Sequence, residues 1–400
     1  MRLSTADAFD SGLGSLTKKQ SELAKLQEQI SSQLRVQRAS DDPAAAARAE
    51  RALAGIARSE TSQRAVDASR TAMTQTESAL GDASNLLQDA REAIVASGNA
   101  SYSDAERKFV SNQIKEIRNQ LLTVANRTDG SGGYLFAGQS AAQQPFTDSP
   151  GGVRYTATPG QTSAAAVEGM HLTDNGSATW LSSRTGNGTF VTTAGAMVKG
   201  ATINNGRVVD PAAVTGDTYS LQFTVAAGVT TYAILQGVPP APTATTAAPY
   251  TSGKEILLDG MSFSIEGTPA QGDQFDVTPS TSTLSVFDAL DQAIAGLATP
   301  RLTGPQVAQT VADNLRNVDS VMANMQSARA AAGELLHRID NETTRIGSQK
   351  LAQETEQSDA TALDLMSAYS TYQTKQAGYD AALKSYSTVQ RMSLFTYLQG

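Results

Sequence analysis

The stretch VDASRTAMTQTESALGDASNLLQDAREAI, residues 66–94, decides the fold, because apolar side chains recur in it every seven residues. The repeat consists of Val66, Met73, Leu80, Leu87 and Ile94, with alanine at the intervening positions 83 and 90. A sustained period of 3.5 residues is typical of helices that pack along their length as coiled coils. One helix over 44–97 would be about 80 Å long at 1.5 Å per residue. We therefore predict a rod rather than a compact domain.

Proline placement extends this prediction to both ends of the chain. Of 13 prolines, only Pro43 lies outside residues 145–305, and most glycines lie between residues 130 and 304. Proline interrupts helices and glycine weakens them, so the ends should be helical and the middle should form strands and turns. The predicted fold class is mainly α with a β insertion. Both termini would form a long antiparallel coiled-coil or helical-bundle rod, and a β-rich domain would lie at the centre of the chain.

The central region carries the signals of antiparallel strands. Residues 255–258 and 261–265 are strand-like and flank the pair Asp259-Gly260, which is a strong signal for a two-residue hairpin turn. The proline-rich segment 239–249 is predicted to be a loop. The middle of the chain therefore reads as a β insertion between two halves of one helical rod.

These composition changes divide the chain into five predicted segments. The pair Asp41-Asp42 followed by Pro43 marks one boundary, because aspartate at the cap and proline at the first helical position start a helix. The segments are 1–43, an N-terminal coiled-coil assembly segment; 44–140, the N-terminal half of the rod; 141–283, the β-rich outer domain; 284–355, the C-terminal half of the rod; and 356–400, a C-terminal coiled-coil assembly segment.

Both terminal helices carry apolar stripes that predict an assembly surface. The N-terminal stripe consists of Leu16, Leu23, Leu26, Ile30 and Leu34, and Arg35 beside it is also a predicted assembly residue. The C-terminal stripe consists of Leu365, Tyr369, Tyr372, Gln376, Tyr379, Leu383, Tyr386 and Gln390. Tyrosine combines an apolar ring with a polar hydroxyl, which suits an interface with other subunits. An intramolecular seam between the two helices is the alternative interpretation.

The composition excludes several classes of function. A net charge of −8 argues against nucleic acid as a partner, because no basic surplus is present to displace counterions from phosphates. The absence of cysteine excludes a thiol nucleophile and an iron–sulfur cluster, and two histidines make a multi-histidine zinc site very improbable. No phosphate-binding loop, nucleophile elbow or dinucleotide fingerprint is present. We therefore predict no catalytic, cofactor-binding or metal-binding residue, and interpret His171 as solvated or locally hydrogen-bonded.

Neither a membrane span nor a cleaved signal is predicted. The chain has no run of about 18 apolar residues, which is the length a membrane-spanning helix requires. The N-terminus lacks the apolar segment of a cleaved secretory signal. A cytosolic protein would satisfy this pattern, and so would a protein exported by a machine that reads an uncleaved N-terminus.

Short motifs stand in order along the two ends of the chain. They are Met1-Arg2-Leu3-Ser4-Thr5; Arg35 followed by Ser40-Asp41-Asp42-Pro43; Asn126-Arg127-Thr128-Asp129-Gly130; Tyr134-Leu135-Phe136-Ala137-Gly138; Arg329-Ala330; and Ser393-Leu394-Phe395-Thr396-Tyr397-Leu398. Together they resemble the bacterial flagellin superfamily and, more narrowly, the flagellar hook-associated protein 3 family of hook–filament junction proteins. In one departure, Ser32-Gln33-Leu34-Arg35 stands where the family usually has T-G-K-R, so glycine is missing at that bend.

The resemblance implies a structural subunit of the bacterial flagellum, with no catalytic residues and no cofactor. The termini would form a coiled coil facing the axis of the flagellum, with Leu394, Phe395 and Leu398 in the inner shell, and the β insertion would point outwards. The chain would leave the cell unfolded through type III export, without a cleaved signal peptide, and act in the extracellular flagellum. The implied partners are further copies of itself in a ring-like homo-oligomer, another hook-associated protein, filament flagellin, and an export chaperone at the C-terminal helix. No nucleic acid or membrane partner is implied.

Two alternatives from other classes stay open. The chain could be the filament flagellin itself, a polymer rather than a ring, although filament flagellins usually lack the proline found here as Pro43. It could also be a flagellin-like protein whose β insertion binds a ligand or catalyses a reaction. That function would require a deep pocket with converging polar groups.

Overall fold

A computed structural model of the chain describes residues 5–237 and 243–398, and the side chains of residues 10–237 and 245–388. Long helices lie at both ends of the described chain, and the strands lie between them, which confirms the predicted fold class. The helices are α1 (Thr5–Ser32), α2 (Pro43–Ser97), α3 (Asp104–Ala125), α4 (Gly176–Leu181), α5 (Val286–Ala298), α6 (Gly304–Thr361) and α7 (Leu365–Leu398).

Local signals account for where the helices begin. α2 starts at Pro43, as predicted, and the Asp42 carboxylate accepts a hydrogen bond from the Ala45 backbone N–H at 3.0 Å. α3 starts after Ser103, whose side chain and that of Glu106 form a reciprocal capping box. Each cap satisfies backbone donors that a helix leaves unpaired in its first turn.

The strands form antiparallel sheets in the centre of the chain. They are β1 (Phe146–Ser149), β2 (Gly152–Tyr155), β3 (Phe190–Ala194), β4 (Ala201–Ile203), β5 (Arg207–Val208), β6 (Tyr219–Ala226), β7 (Val229–Gln236), β8 (Thr243–Ala244), β9 (Ala248–Pro249), β10 (Glu255–Leu258), β11 (Met261–Gly267) and β12 (Gln274–Pro279). β1 pairs with β2, the order β10-β11-β4 forms a second sheet with β5 beside β11, and β3-β12-β6-β7-β8 forms a third with β9 beside β7.

The predicted hairpin between β10 and β11 is confirmed. Leu258 pairs with Met261, and the two turn residues both have positive φ, 41° at Asp259 and 76° at Gly260. This is the backbone geometry whose twist matches that of two antiparallel strands. The predicted loop 239–249 is described only from residue 243, where β8 and β9 each pair with an edge of β7.

The chain divides into two compact units. The terminal unit comprises residues 1–64 and 342–400, and the central unit comprises residues 65–341. α2 and α6 contribute residues to both units.

The central unit has two separate apolar clusters. The helical cluster joins α2, α3, α5 and α6 with Phe136, Phe146 and Trp180, and the Trp180 ring stacks on Phe287 at 5.9 Å between centroids. The strand cluster is formed by side chains of residues 190–277, among them Phe223 and Phe275. Each fully buried large apolar side chain contributes about 1.5–3 kcal/mol. Phe146 and Trp180 therefore stabilise the helical cluster, although they lie within the predicted β-rich domain of residues 141–283.

Exposed ion pairs mark the antiparallel register of α2 and α6 in the central unit. Arg70 pairs with Asp340 at 2.6 Å, and Arg91 pairs with Asp319 at 2.7 Å. The two arginines and the two aspartates are each separated by 21 residues, which is three heptads, so the helices keep one register between these pairs.

Candidate assembly surface

The terminal helices α1 and α7 pack against each other as an antiparallel pair. The Lys375 ammonium lies 2.8 Å from the Glu22 carboxylate, and nearer the N-terminus of α1 the Tyr386 ring lies beside Gly12. On α1 the packed side is made of Leu16, which is buried, and of Leu23, Leu26 and Ile30, which are half-buried. Apolar side chains at this spacing form the narrow seam of a two-helix coiled coil.

The predicted stripe of α7 divides into two faces. Tyr372, Tyr379 and Tyr386 are half-buried, so they belong to the seam with α1. Tyr369 and Leu383 are 57% and 42% exposed. Because successive helical residues are rotated by about 100°, Tyr369 lies roughly 60° around the helix from Tyr372, and its exposure places it at the margin of the seam. The intramolecular seam therefore accounts for one half of the stripe, and an interface with other subunits stays a prediction for the other half.

The exposed residues form an outward face that the sequence stripe only partly identified. We define the outward face as Leu365, Met366, Tyr369 and Leu383 of α7 with Leu13 of α1. Met366 is 85% exposed and Leu13 is 55% exposed, and neither was among the predicted assembly residues. A helical-wheel plot of both helices would have revealed them only once the seam was known. The predicted inner-shell residues Leu394, Phe395 and Leu398 lie outside the residues whose side chains are described.

The motif around residues 35–43 makes contacts within the chain. The Arg35 guanidinium donates to the Asp42 carboxylate at 3.1 Å. The Asp41 carboxylate lies 2.8 Å from the Lys25 ammonium and accepts from the backbone N–H groups of Gln37 and Arg38. The hydrogen bond from Lys25 is the main cause of a lowered pKa at Asp41. These residues therefore shape the connection between α1 and α2.

The motif at residues 129–138 is a structural loop. The Asp129 carboxylate accepts from the backbone N–H groups of Ser131 and Gly133 at 2.8 and 2.9 Å, and Gly130 takes a positive φ of 78°. Tyr134 pairs with Thr128 in an isolated antiparallel bridge. The next three side chains, Leu135, Phe136 and Ala137, are completely buried.

Gly138 ends this motif at a position that only glycine fits. Its φ is 59°, and a Cβ atom there would lie 2.2 Å from the Thr158 carbonyl oxygen. Residues with a Cβ atom rarely adopt this backbone conformation, and a carbon atom cannot approach a carbonyl oxygen so closely without a steric clash. The motif is thus explained by folding of the central unit.

A cavity of about 420 Å³ in the central unit is lined by both apolar and polar side chains. Its lining includes Gln161, His171, Asp174 and Arg338. These groups have local partners: His171 Nδ1 lies 3.1 Å from Ser163 Oγ, and the Asp174 carboxylate accepts from Thr179 Oγ1 at 2.6 Å. Burial, and then the nearby Arg338 charge, lower the pKa of His171. The prediction of a locally hydrogen-bonded His171 is confirmed.

The described residues contain no cluster of three or more histidine, aspartate or glutamate side chains arranged to hold a metal ion. None of their helices combines the length and the apolar character needed to cross a membrane.

Comparisons with known proteins agree with the resemblance seen in the motifs. The bacterial flagellin N-terminal helical region matches residues 6–141. Flagellar hook-associated protein 3 of Escherichia coli is 25% identical over 403 aligned residues, which cover 99% of both chains. Flagellar hook-associated protein 3 of Salmonella typhimurium is 38% identical over 156 residues, which cover 38% of this chain and 48% of that protein. The Phase 1 flagellin of Salmonella naestved is 36% identical over 118 residues, but this match covers only 23% of that protein.

Solved structures extend the similarity to the fold. The crystal structure of FlgL from Xanthomonas campestris, in space group C2, superposes with a TM-score of 0.68 at 29% identity. It covers 78% of this chain, and 99% of the FlgL chain is matched. The similarity thus extends beyond the N-terminal region shared with flagellins, and the resemblance predicted from the terminal motifs is confirmed.

Proposed function

We propose that this chain, a structural flagellar protein of the hook-associated protein 3 family, joins hook and filament through the outward face of its terminal helices. The full-length match to the Escherichia coli protein favours the junction over the filament, because the Phase 1 flagellin of Salmonella naestved matches only 29% of this chain. The proposal extends to the contact residues, the ring-like oligomer and the route of export.

The exposed apolar side chains of α7 carry the proposal. Met366, Tyr369 and Leu383 are large and apolar, and they lie in or near heptad register on one helix. Burying a large apolar side chain contributes about 1.5–3 kcal/mol, so a second helix covering this face would be bound favourably. Leu365, Met366 and Tyr369 lie within five positions of one another, and an exposed apolar patch of this kind marks an interaction site. The natural occupant is a terminal helix of another copy.

Repeated contact of this kind generates a ring. One copy would offer its outward face to a different surface of the next, and such heterologous contacts close into a ring or continue as a helical filament. We infer a ring-like homo-oligomer that contacts another hook-associated protein on one side and flagellin on the other. Before assembly, the same face of α7 would need cover, which an export chaperone at the C-terminal helix would supply.

The five-segment division remains part of the proposal. Residues 1–43 and 356–400 would assemble, 44–140 and 284–355 would form the two rod halves, and 141–283 would form the outer domain. The separate strand cluster of residues 190–277 supports an outer domain with its own core. The protein would reach the extracellular flagellum by type III export without a cleaved signal.

The decisive experiment replaces apolar side chains of the outward face with charged ones. Leu383→Asp and Tyr369→Asp should prevent hook–filament joining and motility in a strain lacking its own junction protein, because a buried unpaired carboxylate opposes association. Ser385→Asp, at an exposed position of the same helix, is the matched control and should leave joining intact. Secretion of each variant into the medium separates assembly from export. Normal motility with Leu383→Asp and Tyr369→Asp would refute this assignment of the contact surface.

A further inference from the structure

Four helix ends of the terminal unit meet at one joint, which we define as residues 33–42 and 360–364. The backbone N–H of Arg35 donates to the Thr361 carbonyl at 2.7 Å, and that of Leu363 donates to the Gln33 carbonyl at 3.0 Å. Leu34 and Ala362 form an antiparallel bridge between these bonds. The connector from α1 to α2 is therefore paired with the connector from α6 to α7, so the two form one joint instead of two separate linkers.

The Arg35 side chain links two further helix ends across this joint. Nη1 donates to the Asp42 carboxylate at 3.1 Å, and Nη2 donates to the Ala360 carbonyl at 2.8 Å. Asp42 caps the N-terminus of α2, and Ala360 lies in the last turn of α6. A guanidinium has donors in a fixed planar fork, so it can serve both acceptors at once. The positive charge also opposes the partial negative charge of the α6 C-terminus.

The last turn of α1 is tied to the same residue. Gln29 Nε2 donates to the Arg35 carbonyl at 2.7 Å. Val36 and Ala360 are 7% and 2% exposed, so part of the joint is buried. The bonds of Arg35 thus reach α1, the residue that caps α2 and the last turn of α6, while Gln33 in the same connector bonds Leu363, two residues before α7.

We propose that Arg35 is the positioning residue of the joint, which makes α1 and α7 leave α2 and α6 as one coupled pair. Only the role of the α1–α7 pair, which is assembly through the outward face, rests on the proposed function. The coupling itself is a property of the single chain. A lysine has the charge but not the fork, so it should hold one acceptor and release the other.

Hydrogen exchange of the purified full-length monomer tests the coupling without any assembly step. Arg35→Ala should accelerate amide exchange at least ten-fold in peptides covering both 33–42 and 360–366, and leave α3 and α5 unchanged. Arg35→Lys should give an intermediate acceleration. Arg38→Ala is the matched control, because the Arg38 side chain is 74% exposed and its guanidinium lies 3.6 Å from the Glu28 carboxylate; the backbone N–H that donates to Asp41 is kept in the variant. It should change neither connector.

If Arg35→Ala lowers the stability of the whole chain, the same substitution is measured in the Asp42→Asn variant. In Asp42→Asn the capping oxygen remains but its charge is lost, so adding Arg35→Ala should accelerate exchange less than it does in the wild-type background. Acceleration confined to 33–42, equal acceleration throughout the chain, or additive effects of the two changes would each overturn the positioning role. Failure of the outward-face variants to block joining would instead count against the proposed function alone.

Discussion

Tyr386 of α7 lies against Gly12 of α1 so closely that a Cβ atom added at Gly12 would lie 3.3 Å from its ring. Gly14 lies two residues further along α1, and a Cβ atom added there would have no heavy atom within 4 Å. The two glycines occupy the same helix and differ in what they face. Substitutions at the two glycines therefore distinguish the effect of packing between α1 and α7 from the intrinsic cost of glycine in a helix.

Gly14→Ala should stabilise the α1–α7 pair, and Gly12→Ala should gain less or nothing. Alanine is favoured over glycine in a helix interior by about 1 kcal/mol, but at Gly12 the ring must move by a few tenths of an ångström. Helical content by circular dichroism and exchange protection of α1 in the monomer measure both variants. Equal gains at the two positions would show that Tyr386 does not pack here.

Gln33→Gly should stabilise the terminal unit by about 1 kcal/mol, because Gln33 has a φ of 59° and a left-handed backbone is costly for a residue with a side chain. This is the bend at which the family resemblance implies glycine. Chemical denaturation followed by exchange protection of α1 reports the change. Arg38→Gly is the control in the same connector: its φ is not positive, so glycine there should destabilise through the unfolded chain.

Tyr379→Ala and Tyr369→Ala should have opposite consequences in the monomer and in assembly. Tyr379 is half-buried against α1, so its truncation should weaken the helix pair by about 1–2 kcal/mol. Tyr369 is 57% exposed, so its truncation should leave monomer exchange rates unchanged and weaken only joining. Loss of α7 protection in Tyr369→Ala would place both residues in one seam and remove the outward face.

The stability of the central unit should fall as the pH falls through the acidic range. The hydrogen bond from Arg118 lowers the pKa of Asp148 below its ordinary value of 3.8. A carboxylate with a lowered folded-state pKa contributes stability above its unfolded pKa and loses it as the pH drops through the folded value. Asp148→Asn should therefore lower the free energy of unfolding at pH 7, and its difference from the wild type should shrink below pH ~4.

Asp288 supplies the opposite case in the same region. Burial, followed by the charge of Asp291, raises the pKa of Asp288 above 3.8. A raised carboxylate pKa favours folding at low pH, and this contribution disappears as the pH rises through the folded value. Asp288→Asn should thus be neutral or stabilising at pH 7 in urea denaturation. Parallel behaviour of Asp148→Asn and Asp288→Asn would contradict the electrostatic assignment.

The fold class and the helix and turn signals could be read from the sequence because they are local. The seven-residue period of 66–94, the Asp42-Pro43 helix start and the Asp259-Gly260 turn each act over a few residues of chain. Proline placement separated helices from strands for the same reason. The family resemblance likewise rested on short motifs, and Gly138 shows that part of this signal records backbone geometry.

The faces of the terminal helices were decided only by tertiary structure. Tyr369 and Tyr372 both fit one 3.5-residue stripe, and nothing in the local sequence states which of them meets α1. That choice depends on the position of Gly12 and Glu22 on a helix more than 340 residues away in the chain. The contacts of Arg35 with Ala360 and Thr361 likewise join residues 325 and 326 positions apart. The sequence by itself determined which segments are helices and that their apolar sides seek partners, because periodicity and capping are local. Which partner each side meets was decided by packing between the two ends of the chain.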